Sequence, residues 1–209
     1  MPIIFQHTIN EKARVALWRI DEPLSFFAEK VTVPDKITHP ENLLRHMAAR
    51  YLLHLLEPSF PYQKIEIGEN GKPFLSDGSL HFSLSHSGNY AAAIVSEDQQ
   101  VGVDAEVISD RIFKVGPRFL SEQEFSTFEK SISAFNENDV QRKWLIAGWS
   151  AKESVFKWQG KPGVDFKTEI QLLNVLNESS FECLLGKTKT TLEIQCRFIE
   201  KICLAWVCA

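Results

Sequence analysis

The stretch "LHFSLSHSGNYAAAIVSEDQQVGVDAEVI", residues 80–108, decides the fold class. His81, Ser83 and Ser85 alternate with Phe82 and Leu84, which is the two-residue period of a strand. That strand ends at Ser87-Gly88-Asn89. "YAAAIVS" and "VGVDAEVI" follow as two strands of buried character, joined by the polar turn "EDQQ".

Upstream, "RVALWRI" reads as a strand, and "HPENLLRHMAARYLLHLLEP" as the first clear helix. Its residues Leu44, Ala48, Tyr51, Leu52 and Leu55 fall at helical spacing, with Pro40 at the start and Pro58 past the end. His46, Arg50 and His54 form an i, i+4, i+8 stripe, which is either a solvated face or one side of an anion site. "IEIGENGKPFL" is a strand followed by a Gly- and Asn-rich turn.

Downstream, residues 109–120 contain Gly116-Pro117 and lose periodicity, so the division into halves is expected there: lobe 1–108 and lobe 109–209. "SEQEFSTFEK" opens with a capping box, Ser121 with Glu124. A long helix is expected from Asn138 to Gln159, with Gly160 as its C-cap. The tail reads as strands at roughly 181–185, 190–198 and 202–208. Each half runs from a helix into antiparallel strands. The expected fold is therefore α+β, with two similar lobes.

A chain of 209 residues can bury one large core or two small ones. The net charge of −4 argues against bulk nucleic-acid binding. No segment approaches the roughly 18 consecutive apolar residues of a membrane span. The start, "MPIIFQHTINEKAR", lacks the long apolar run of a secretory signal. Cys183, Cys196, Cys203 and Cys208 form no C-x-x-C pair and read as buried, reduced thiols. The cytoplasm is the expected compartment.

Asp104 and Glu106 lie two apart on a strand, on one face, among Val101, Val103 and Val107. Two carboxylates so placed repel each other and resist desolvation unless a hard cation joins them or the strand end meets water. In "WSAKESVFK", residues 149–157, Trp149, Glu153 and Lys157 share a helical stripe. A surface salt bridge between Glu153 and Lys157 would contribute only about 0.2–0.5 kcal/mol. Trp144, Trp149, Phe156 and Trp158 make that reading a poor fit, because they leave much of this helix surface apolar. "SLSHSGN" offers hydroxyls, an imidazole and backbone N–H groups suited to phosphate oxygens. Ser85 and His86 are adjacent on a strand and point to opposite faces, which disfavours them as a catalytic couple. Lys72 in "NGKPF" is either solvated or a phosphate contact with Gly71 bringing the backbone close. Together these give three carboxylates, several lysines, a histidine and serines. Oxygen ligands without a Cys/His cluster favour Mg²⁺ over Zn²⁺. The set points to transfer of a phosphate-containing group.

The ordered set Gly71-Lys72-Pro73, Ser85-His86-Ser87, Gly102–Glu106 and Trp149–Lys157 resembles the motifs of the surfactin-type 4′-phosphopantetheinyl transferases. Order and spacing match from Arg50 to Lys157. Two departures stand out. Ala105 occupies a position where that family carries Ile or Val, and "WQGKPGVDF" replaces the G-x-G-L that follows the last lysine in many relatives.

The resemblance implies two pseudo-symmetric α/β lobes, each a mainly antiparallel sheet packed on a long helix, with coenzyme A in the cleft between them. By the same resemblance Asp104, Glu106 and Glu153 would hold Mg²⁺, or Mn²⁺ in its place, on the pyrophosphate. Lys72, Pro73, Ser85 and His86 would contact coenzyme A, and Lys152 and Lys157 would neutralise charge around the pyrophosphate. Lys30, Lys36, Arg45 and Arg50 are candidates for its 3′-phosphate. The implied reaction is that of a holo-[acyl-carrier-protein] synthase: the 4′-phosphopantetheine arm passes to a serine of an apo acyl or peptidyl carrier protein, and adenosine 3′,5′-bisphosphate leaves. Lys157 would steady the departing phosphate, with Glu153 or a metal-polarised water as the base. A monomer is expected. Two rival readings share these residues, a catalytically silent module that binds coenzyme A or a carrier, and a Mg²⁺-dependent phosphodiesterase.

Overall fold

The computed structural model describes residues 3–31, 37–68, 71–132, 138–177 and 180–209. Strands β1 (Ile3–Asn10) and β2 (Ala13–Arg19) precede the short helix α1 (Leu24–Ala28) and the long helix α2 (Pro40–Leu56). A small hairpin, β3 (Ile65–Ile67) with β4 (Pro73–Leu75), leads to β5 (His81–Ser87), β6 (Tyr90–Ser96) and β7 (Val101–Val107). Helices α3 (Arg111–Phe119), α4 (Glu122–Ile132) and α5 (Asn138–Gln159) come next. The chain ends with β8 (Ile170–Asn177), β9 (Ser180–Leu185), β10 (Thr190–Ile199) and β11 (Ile202–Cys208).

Among the described residues the strands form two larger sheets, in the orders β1-β2-β6-β5 and β7-β11-β10-β9-β8, with every neighbouring pair antiparallel. The alternation of side chains sorts each sheet into two faces. On the first sheet, Trp18, Phe82, Ala91 and Ala93 pack under α2 against Ala48, Leu52 and Leu53. The other face carries Val15, Leu17, Ala92 and Ile94, which meet Val101, Val103, Ala105, Leu204 and Trp206 of the second sheet. The second sheet's outer face, with Ile194, Cys203, Ala205 and Val207, packs on Ile146, Ala151 and Val155 of α5. The layers therefore run α2, sheet, sheet, α5. A strand covered on both faces needs no polar side, which is why "YAAAIVS" is continuously apolar.

Strand β7 pairs with β11, so the strand expected to close the first lobe is an edge of the second sheet. Sheet membership changes at the turn before Val101 rather than after residue 108. The stretch expected to be an irregular boundary is instead α3, with Pro117 inside its last turn and Ile112, Gly116 and Phe119 buried. Strands β1 and β8 and helix α1 were not anticipated. The capping box forms: Ser121 N–H donates to Glu124 Oε2 at 2.7 Å, and Glu124 N–H donates to Ser121 Oγ at 3.2 Å. Gly160 closes α5 in the left-handed region at φ 65°. Cys183, Cys196 and Cys203 are buried free thiols, and Cys208 is half-buried. Among the described residues no helix is long and apolar enough to cross a membrane.

Two contacts set the site. First, the α5 backbone rests on β7 at Gly102. A Cβ there would overlap the carbonyl oxygen of Ser154 and lie 2.7 Å from the backbone nitrogen of Trp158. Second, the free edge of β7 meets β5 through side chains. The N–H groups of Val103, Ala105 and Val107 donate to the hydroxyls of Ser83, Ser85 and Ser87 at 3.2, 3.1 and 3.2 Å. Alternate serines on β5 thus satisfy donors that a paired strand would otherwise satisfy.

Because no side chain fits between β7 and α5, Gly102→Ala is expected to destabilise the fold by about 1–3 kcal/mol or more, as overpacking does. Urea unfolding followed by tryptophan fluorescence measures this; an unchanged midpoint would show that α5 does not bear on β7.

Candidate functional site

Gly102, Asp104 and Glu106 face α5 because the residues between them, Val103 and Ala105, are committed to the inter-sheet core. Trp149, Glu153 and Lys157, on one stripe of α5, come down on the same side. All three line a cleft of about 540 Å³ together with Asp104, Glu106 and Phe156. Its opposite wall comes from α2, β5 and the β3–β4 hairpin: His46, Arg50, Ser83, Ser85, His86, Gly71, Lys72 and Pro73. The chemistry-bearing motifs of both halves thus open into one space.

At its centre Lys157 Nζ donates to Asp104 Oδ1 at 2.8 Å and to Ser85 Oγ at 2.9 Å, and Ser85 Oγ donates to Asp104 Oδ1 at 2.9 Å. The Ser85 hydroxyl also accepts the Ala105 N–H. Its one donor and both lone pairs are used, so Ser85 holds Asp104 and Lys157 and has nothing left for a phosphate oxygen. This corrects its expected role as a coenzyme A contact.

Asp104 is 5% exposed, and its Oδ2 is buried without a hydrogen-bond partner. Burial, followed by the charge of Asp104, pushes the Glu153 carboxyl up to about 7, with Lys157 opposing. Burial and Asp104 also raise Glu106, offset in part by Ser87, Arg111 and Lys157. Three carboxylates therefore crowd a space where ionising all of them is costly. Among the described residues no three ligating side chains are drawn together closely enough to hold an ion as they stand, and the Lys157 ammonium neutralises Asp104. In chemistry the set fits a hard divalent cation: every donor is a carboxylate oxygen, and one buried oxygen has no partner.

The opposite wall is cationic or neutral. Arg50 is 8% exposed, yet no hydrogen bond or ion pair of its guanidinium is found among the described residues, and desolvation lowers its pKa. Burial lowers Lys72 to about 8; its Nζ donates to the Trp158 carbonyl at 3.3 Å. Burial, then His46 and Lys157, lowers His86 to about 4, and its Nε2 lies 3.4 Å from His46 Nε2. Both imidazoles are neutral at pH 7, since burial and Arg50 lower His46 as well. The His46–Arg50 part of the α2 stripe thus faces the cleft, while His54 is exposed.

Two expected contacts lie elsewhere. Lys152 is 0% exposed on the inner side of α5. Its ammonium pairs with Glu124 at 2.6 Å and donates to the carbonyls of Phe119 and Phe166 at 2.8 and 2.7 Å. It is a buried structural charge without access to a ligand, which corrects its expected contact with coenzyme A. Residues 152 and 153 are one step apart on a helix and about 100° apart in direction, so they cannot both face the cleft. Arg45 does not line the cleft; it spends its donors on the Gly88 carbonyl, Asn42 and Glu41. Lys36 lies outside the described residues, and Lys30 sits over the ring of Phe26 at 4.2 Å. The sequence offered the Ser83 hydroxyl as suited to phosphate oxygens but did not reveal its bond to the Val103 N–H, nor the second role of Glu124, whose Oε1 also accepts the Leu172 N–H. No sequence signal distinguishes Glu124 from an ordinary capping-box glutamate.

A family model described as the 4′-phosphopantetheinyl transferase superfamily matches residues 100–207. The chain is similar to 4′-phosphopantetheinyl transferase AcpT of Escherichia coli (strain K12), 36% identical over 118 residues, which is 56% of this chain and 57% of the relative. It is also similar to 4′-phosphopantetheinyl transferase ffp of Bacillus subtilis, 29% identical over 148 residues, 68% of this chain and 63% of the relative. With 4′-phosphopantetheinyl transferase Sfp of Bacillus subtilis (strain 168) it shares 32% identity over 94 residues, 44% of this chain and 39% of the relative. The chain thus spans a little over half the length of the first of these relatives.

Lys152→Ala would leave Glu124 charged and buried, and is expected to cost about 3–5 kcal/mol of stability. Pairing it with Glu124→Leu should recover much of that loss, and thermal unfolding of the single and double variants measures the difference.

Proposed function

The chain belongs to the 4′-phosphopantetheinyl transferase superfamily, and on that premise we propose that it moves the 4′-phosphopantetheine arm of coenzyme A to a serine hydroxyl of an apo carrier protein, leaving adenosine 3′,5′-bisphosphate. The observation that carries this reading is the single cleft in which Asp104, Glu106, Glu153 and Lys157 face Arg50, Lys72, His46 and His86. One wall can neutralise phosphates and the other can gather a cation.

Magnesium held by Asp104, Glu106 and Glu153 would supply charge neutralisation on the pyrophosphate. The chain's own groups do the rest. Arg50 and Lys72 give fixed positive charge to phosphate oxygens in a partly desolvated space, where such charge acts strongly. Neutral His86 and His46 can donate a single N–H without adding charge. Lys157, held by Asp104 and Ser85, is placed to steady the oxygen that departs with the adenosine bisphosphate. Glu153 lines the same cleft and is the candidate to accept the serine proton; its carboxyl stands at about 7 in the ion-free protein, and a cation held beside it would lower that value. Phosphoryl-type transfer asks chiefly for such positioning and charge compensation. The enzyme would act as one chain, since every group named belongs to it, and the buried free thiols favour a reducing compartment such as the cytoplasm.

With Mg²⁺, coenzyme A and an apo carrier, the carrier is expected to gain one phosphopantetheine mass by mass spectrometry. Binding of coenzyme A without that gain would favour the silent module, and adenosine bisphosphate release without any carrier would favour the phosphodiesterase.

Glu153→Gln should lower transfer at least about 100-fold, the scale of a lost general base. It should also change the ion-free protein in a pH-dependent way. The folded chain keeps the Glu153 proton up to about 7, whereas an ordinary glutamate loses it near 4.5. Between those values the native state binds more protons, so wild-type stability falls as pH rises. The variant lacks that penalty. It should therefore be more stable than wild type by up to about 3 kcal/mol at pH 8 and nearly equal to it near pH 4. Denaturant unfolding at the two pH values reads the sign.

A further inference from the structure

Lys157 has a partner already. Its Nζ donates to Asp104 Oδ1 at 2.8 Å and to Ser85 Oγ at 2.9 Å, yet the transfer described above asks it to serve a phosphate oxygen. The side chain of Asp104 is 8% exposed and that of Lys157 24%, so the pair stands largely out of water. Removing one member of such a pair leaves the other charge uncompensated, which costs far more than breaking a surface pair. Lys157 can therefore leave Asp104 only when another cation takes its place.

The surroundings suit that exchange. Glu106 and Glu153 line the same cleft, and among the described residues neither forms a salt bridge, so one ammonium serves three carboxylates. Among the described residues no three ligating side chains gather around an ion as they stand; the charge beside Asp104 is that of Lys157. Asp104 uses one oxygen only. Oδ1 accepts from Lys157 and Ser85, whereas Oδ2 is buried without a hydrogen-bond partner, a rare condition for a carboxylate. Asp104 is also held independently of Lys157. Ser85 Oγ donates to it at 2.9 Å and is itself fixed by the Ala105 N–H at 3.1 Å. Lys157, by contrast, ends a flexible four-carbon stem in the last turn of α5 and can turn away without moving the helix.

We propose that Lys157 is a built-in stand-in for the divalent cation: it occupies Asp104 in the ion-free chain, competes with the cation for that carboxylate, and passes to the diphosphate of coenzyme A when the cation replaces it. This rests on the transferase reading and adds the exchange that readies Lys157 for its task. A cation arriving alone has to displace the ammonium into water. A diphosphate arriving alone draws Lys157 away and leaves Asp104 buried and bare. Each ligand therefore assists the other through Lys157, and the assistance is equal in both directions by linkage. Ser85 is the fixed point of the exchange, because its bond to Asp104 Oδ1 does not depend on where the ammonium lies.

The experiment measures Mn²⁺ binding to the full chain by electron paramagnetic resonance, without any carrier protein. Wild type, Lys157→Met and Lys157→Arg are compared with and without saturating coenzyme A, and chelation of Mn²⁺ by coenzyme A alone is subtracted. Methionine keeps much of the length and removes the charge, whereas arginine keeps the charge. Without coenzyme A, Lys157→Met is expected to bind Mn²⁺ at least about 10-fold more tightly than wild type, a factor in the usual range of coupling between two ligands. Lys157→Arg should stay close to wild type. Coenzyme A should raise Mn²⁺ affinity in wild type, and by a factor at least about 10-fold smaller in Lys157→Met. A purely structural ammonium predicts the opposite sign, since its loss would loosen the carboxylates and weaken the ion. Thermal unfolding covers a weakened fold: Mn²⁺ should raise the midpoint of Lys157→Met more than that of wild type. Equal or weaker Mn²⁺ binding by Lys157→Met without coenzyme A, while wild type binds the ion with coenzyme A, would overturn the exchange and leave the transferase standing. Wild type that binds no Mn²⁺ even with coenzyme A would remove the cation on which both readings rely.

Discussion

The site depends on how closely α5 can approach β7. A helix lying on a strand is ordinarily held off by the side chains between them, and at Gly102 there is none. The backbone of Ser154 and Trp158 comes down onto the strand, and only then does Lys157, one helical turn past Glu153, reach Asp104 at 2.8 Å. The same approach buries the Glu153 carboxyl beside Asp104 and Glu106, so that burial first and their charges second raise it. One missing methyl group thus underlies the electrostatics of the whole cleft.

Around that contact the charges are arranged in two separate classes. Lys152 and Glu124 form a buried pair with further hydrogen bonds to Phe119, Phe166 and Leu172, which ties α4, α5 and β8 into one body. Lys157 and Asp104 form a pair at the cleft, braced by Ser85, with one carboxylate oxygen left over. The first pair is closed and complete. The second is incomplete in a way that suits a ligand. That two lysines five positions apart in one short motif serve such different ends follows from helix geometry, since five residues turn the direction by about 140°.

Much of this is legible in the amino-acid sequence alone. The periods of α2 and α5 and of β5, β6 and β7 were legible because each keeps one pattern over two turns or several residues. The pairing of Asp104 with Glu106 on one face needed only strand alternation. What stayed hidden had physical reasons. Strand β1 lies at a sheet edge and is only partly buried, so its polar residues blur the pattern. Helix α3 is short and holds a proline near its end, which masks a strongly two-sided distribution of charge. Lys152 looks like its neighbour Lys157 in sequence, and only the burial of Glu124 on another helix separates their roles. Arg50 could be placed on a stripe, but whether that stripe met water or the cleft depended on the packing of α2 over β5.

The seam between β5 and β7 has a consequence of its own. Backbone pairing tolerates almost any side chain, whereas here the bonds are made by hydroxyls that occur at every second residue, Ser83, Ser85 and Ser87. Inserting or deleting a single residue within this run would rotate all three hydroxyls away together and present Phe82, Leu84 or His86 to the strand instead. The spacing of the serines is thus a phase as well as a composition. In this seam, drift in length is far harder to accommodate than drift in identity at the intervening positions.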